Sequence, residues 1–198
     1  MKKLIATTVI SAVLLATGVA FGQSASHDVE VLIPNVLMLR ITDGSGNDPA
    51  TDPSVTFDFQ ATANVDDYLD AVNAGGGDLT PTDVSAFGGV VVFSNRATWN
   101  VTVGALTLGF VDNLGLSVTG NGVALSDISV TPSGTPGLNV SDVSTNWDLT
   151  TSTSIANGVR TQGWRSLGFS GGDYRLAVNG DENPGTYTTT VTYTIAAP

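Results

Sequence analysis

Oxygen-bearing side chains recur along Asp43-Gly-Ser-Gly-Asn-Asp48, with Asp52 beyond them. Set in a glycine-rich loop, Asp43, Ser45, Asn47, Asp48 and Asp52 form a candidate ligand set for a hard cation such as calcium, which takes about six to eight oxygens. The stretch departs from the helix-loop-helix calcium pattern, with Asp48 in place of its invariant glycine and Ser54 in place of its bidentate glutamate. The competing reading is a flexible polar loop holding no ion. Asp outnumbers Glu sixteen to two, a bias that turn preference alone would produce. Calcium is the one cofactor with a candidate site, and otherwise none is expected.

Catalysis has little to work with. His27 is the only histidine and has no neighbour to orient it, so neither a serine–histidine pair nor a histidine-bound metal is expected. The chain has no cysteine, which removes thiol catalysis, zinc–thiolate sites, disulfides and a lipid-modified cysteine. Paired acids occur at Asp66-Asp67 and Asp181-Glu182. They stand in helix-start and turn contexts, where acids serve as caps and solvated loop residues, and nothing around them would shift a pKa toward acid–base work. The chain is read as a non-enzyme with no catalytic residue.

Three tryptophans remain. Trp99 alternates with Val101 and Val103 and is expected in a core. Trp147 and Trp164 lie among polar residues, and either one, if exposed, would offer a flat ring for stacking a sugar. Burial is the competing expectation, because large aromatics usually end up inside.

The elements that must position these residues are strands. Along Gly185 to Ile195, Tyr187, Val191, Tyr193 and Ile195 share one face and Thr186, Thr188, Thr190, Thr192 and Thr194 the other. Glycine and proline clusters punctuate the chain and β-branched runs lie between them. Strands are expected over 29–41 (broken at Pro34), 55–60, 89–94, 98–103, 115–119, 128–131, 174–178 and 187–195. The pattern is that of an all-β, antiparallel β-sandwich or barrel. One helical insertion is expected at 65–73, with Val65, Leu69 and Val72 on its apolar face and Gly75 as its stop. The stretch 131–159 is the least patterned. A small outer-membrane barrel is a third architecture, but it would need a C-terminal aromatic, and the chain ends Ala196-Ala197-Pro198.

Residues 1–26 read as a secretory signal peptide: Lys2 and Lys3, an apolar run from Leu4 to Phe21, and small residues at Ser24 and Ser26 before the cut. A retained anchor is the alternative, since such a run just reaches across a bilayer. Cleavage leaves residues 27–198 as a single domain with no further apolar span. It also removes both lysines, so five arginines face 18 acids, a net charge of −13. Neither nucleic acid nor an anionic membrane suits scattered arginines on so acidic a surface. An exported chain without disulfides points to a bacterium.

The closing strand from Gly185, the fourteenth residue from the C-terminus, resembles that of bacterial secreted immunoglobulin-like families: spore coat protein U, chaperone–usher pilins and, more loosely, WxL-type surface proteins. Val29 to Ile41 and the segment 95–103, which carries Trp99, are similar to their first and middle strands. The chain departs from them in lacking cysteine and in placing Ala197 where pilins carry an aromatic. The resemblance implies an immunoglobulin-like sandwich that serves in the periplasm, at the cell surface or in the medium as a structural or adhesive, fimbria-like subunit. It implies self-association, or association with other surface subunits, by strand pairing through Val29, Val31, Ile33 and the closing strand. The alternatives are pairing of the early strand within its own domain and, for function, a carbohydrate- or calcium-binding module.

Overall fold

Runs with a two-residue apolar period become strands here, and the computed structural model shows which of them pair. It describes residues 27–106, 109–111, 122–141 and 143–198. The expected leader, 1–26, and the expected strand at 115–119 lie outside the described residues. The chain divides into two units at Pro34. Of the first, residues 27–34 hold no regular element and are exposed throughout. An early strand over 29–41 is therefore corrected: only its last part is a strand.

The second unit, 35–198, holds the strands β1 (Leu37–Thr42), β2 (Ser54–Thr56), β3 (Gly77–Leu79), β4 (Asp83–Ser85), β5 (Gly89–Ser94), β6 (Trp99–Ala105), β7 (Gly109–Val111), β8 (Ile128–Val130), β9 (Val140–Ser141), β10 (Trp147–Asp148), β11 (Thr153–Gly158), β12 (Arg165–Ser166), β13 (Tyr174–Val178), β14 (Thr186–Thr188) and β15 (Val191–Ala196). One helix, α1 (Val65–Asn73), lies between β2 and β3. All ladders are antiparallel, in the orders β1-β5-β12, β10-β8-β13-β3, β15-β6-β11-β9, β14-β7 and β2-β4. The fold is all-β with one helical insertion.

Burial follows the alternation. In β6, Trp99, Val101 and Val103 are buried while Asn100 and Thr102 are not, and in β13 Tyr174, Leu176 and Val178 repeat the pattern. The first three sheets feed one core, joined by Val90 and Val92 of β5, Val130, Ile155, Leu167 and Phe169. Fully burying each such side chain contributes about 1.5–3 kcal/mol. Trp99 donates its indole N–H to the Val159 carbonyl at 2.8 Å, so its burial leaves no orphan polar group.

The helix keeps its expected bounds but turns a different face inward. Tyr68, Ala71 and Val72 pack with Leu79, Leu176 and Val178, whereas Leu69 is 47% exposed. Gly75 and Gly76, both at positive φ, stop it by donating to the Val72 and Ala71 carbonyls.

Candidate functional site

Two edge strands meet without joining. β1 lies at the edge of its sheet and β15 at the edge of another; they run close together with no ladder between them. Their inward side chains, Leu37, Leu39 and Ile41 on one side and Val191, Tyr193 and Ile195 on the other, pack against the core but stay only partly buried. Elsewhere in the same sheets Val90, Val92, Val101 and Val103 reach 0% exposure. The result is an apolar seam flanked by backbone N–H and C=O groups that, among the described residues, no ladder satisfies.

The closing strand is interrupted. Its expected single run divides at Thr189 and Thr190: Tyr187 belongs to β14, paired with β7, and Val191, Tyr193 and Ile195 belong to β15, paired with β6. The Tyr187 hydroxyl donates to the Asn183 carbonyl at 2.8 Å. Tyr193 reaches inward to an aromatic cluster, where its hydroxyl and that of Tyr174 lie 2.6 Å apart beside Phe87, Trp147 and Phe169. Burial drives the Tyr174 pKa up to about 12 against the bond from Tyr193, and burial together with the Tyr174 charge raises Tyr193 well above the ordinary phenol range. Val29, Val31 and Ile33 stand 74%, 73% and 77% exposed in the first unit, and Leu32 82%.

The tryptophan candidates separate. Trp147 is 5% exposed and stacks edge-on against Phe169 at 5.4 Å, so it is a core residue with no face for a sugar. Its indole N–H is buried without a partner. Alternation with the buried Leu149 was the available signal in Trp147-Asp-Leu149. Trp164 is partly buried on the face of β5 away from the core: Phe93 meets it edge-on at 5.7 Å, and the Arg40 guanidinium lies over its ring at 4.2 Å. The cation occupies one face of the ring.

The Asp43 loop is exposed from Asp43 to Pro49 and is closed by the Thr42–Pro49 bridge and by the Ala50 N–H donating to the Ile41 carbonyl. Asp43 accepts from the Ser45 hydroxyl at 2.7 Å and the Ser45 N–H at 2.9 Å, and these bonds, the hydroxyl's foremost, lower its pKa. The Asn47 carbonyl accepts from Arg40. Asp48 is exposed, and Asp52 sits in a separate turn at φ 47°. The five residues thus form an Asx turn, a carbonyl contact and two outlying acids rather than a converging set. Among the described residues no group of three or more acids or histidines is arranged to hold a metal.

No protein family, no curated protein and no solved structure matches this chain.

Proposed function

We propose that this chain is an exported, non-enzymatic β-sandwich subunit of immunoglobulin-like type. It serves a structural or adhesive role outside the cytoplasm, with residues 1–26 as its leader, and its copies join by strand pairing. The observation that carries this reading is the seam between β1 and β15, lined by Leu37, Leu39, Ile41, Val191, Tyr193 and Ile195, with two strand edges that no ladder pairs among the described residues, although Ala50 already bonds the Ile41 end of β1. Val29, Val31 and Ile33 repeat the same i, i+2, i+4 spacing, about 13 Å end to end in a strand. With Leu32 they are the most exposed large apolar side chains among the described residues. A segment from one copy laid along the seam of the next would bury its apolar side chains and pair with one of the two edges, as in recognition by β-augmentation. Purified protein is expected to run as SDS-resistant multimers that disappear when residues 27–33 are deleted. A monomer indifferent to that deletion refutes the reading.

A further inference from the structure

The chain carries 18 acids, yet its arginines bond to carbonyls. Arg40 donates to Asn47, Arg160 to Asn95, Arg165 to Trp164 and Gln162, and Arg175 to Gly172 and Tyr174. Among the described residues none of the five arginines is ion-paired with a carboxylate. In so acidic a chain, positive charges that no internal carboxylate neutralises can recognise an external anion.

Two of them border one residue at one end of the β-sheets. There β5 stops at Ser94, β6 starts at Trp99, β11 stops at Gly158 and β15 at Ala196. Arg96 lines a recess of about 280 Å³ with Asn35, Asn95, Thr98 and Pro198. The Arg160 guanidinium reaches the Asn95 carbonyl at 3.2 Å, which brings it to the rim of that recess.

The opposite end of the same run is acidic. From Pro198 back along β15 and β14 to the turn before Thr186 is about 12 residues, on the order of 35–40 Å if extended. That turn holds a recess of about 230 Å³ lined by Asp127, Asp181 and Glu182 with Gly122 and Asn179. Two of its acids are held in place. Glu182 accepts from the Asn179 and Gly180 N–H groups and the Tyr68 hydroxyl, and Asp127 from the Ala124 N–H. Burial works to raise the Glu182 pKa, but those bonds hold it below the usual carboxylate value, so the charge persists.

We propose that copies of this chain associate end to end, with Arg96 and Arg160 of one seated against the Asp127, Asp181 and Glu182 recess of the next. At a net charge of −11, two copies repel across most orientations, and the arginine end offers the attractive one. The two surfaces differ, so the contact is heterologous and repeats into an open row instead of closing as a two-fold dimer. The inference stands apart from strand exchange, because it uses neither residues 27–33 nor the seam.

The test is sedimentation velocity of the purified full chain at about 20 mM and about 500 mM salt, where the screening length falls from roughly 20 Å to roughly 4 Å. Mass should rise with protein concentration at low salt and fall to monomer at high salt. Arg96→Glu with Arg160→Glu is expected to weaken association at least about tenfold. Mixing that variant with Asp181→Lys, whose side chain is exposed, should restore mass that neither shows alone. If the double variant unfolds, Arg96→Gln and Asp181→Asn replace the charge swaps. A monomer at low salt, salt-independent association, or a folded double variant that associates as before overturns the proposal. SDS-resistant multimers report strand pairing and salt-sensitive mass reports the ends, so either can fail alone.

Discussion

The hydroxyls of Tyr174 and Tyr193, one on β13 and one on β15, share a single part-buried hydrogen bond at 2.6 Å and so tie the closing strand to a second sheet. Replacing either tyrosine by Phe leaves its partner without that bond, at a cost of about 1–3 kcal/mol. Replacing both removes the orphan, so the double variant should lose clearly less than the two single losses combined, as urea unfolding would show. The pair also sets an alkaline limit. Tyr174 titrates at about 12 in the folded chain and at its ordinary value of 10.0 when released. The unfolded chain therefore loses the proton first, and the stability this group contributes is complete below about pH 10 and gone as pH passes about 12. The thermal midpoint should fall over that window, and fall less in the double Phe variant.

At the scale of the elements, β11 shows what sequence periodicity conveys and what it hides. β5, β13 and α1 fall where alternation or helical spacing puts them, since their apolar residues recur without interruption. β11 lies inside the stretch that reads as unpatterned. It carries a bulge between Ser154 and Ala156 that brings Ile155 and Ala156 inward in succession, and its polar and glycine residues mask a strand paired on both sides. The seam was still less legible, because which strands end as edges depends on pairings between distant parts of the chain. What could be read was the two-sidedness of β15 and the apolar spacing of Val29, Val31 and Ile33. Gly158, at the end of β11, marks a close approach: a Cβ there would overlap the Asn139 carbonyl oxygen and the Trp99 ring. Gly158→Ala should destabilise by about 2–3 kcal/mol. Gly46→Ala, where a Cβ meets nothing within 4 Å, should stay within about 0.5 kcal/mol by the same unfolding measurement.

Across the whole molecule, the ladders join parts of the chain that synthesis keeps far apart. Thr42 pairs with Gly89, Tyr193 with Val103 and Val178 with Gly77, separations from about fifty to about a hundred residues. Long loops must close before such contacts repay them, so folding is governed by the search for distant partners more than by local propensity. Refolding from urea, followed by tryptophan fluorescence in a stopped-flow instrument, is expected on a millisecond-to-second scale or slower, and a microsecond relaxation would contradict this topology. During that interval Val103 and Tyr193 both wait in water for a strand that has not arrived. A newly made polypeptide of this kind therefore keeps sticky segments in water until the last ribbon docks.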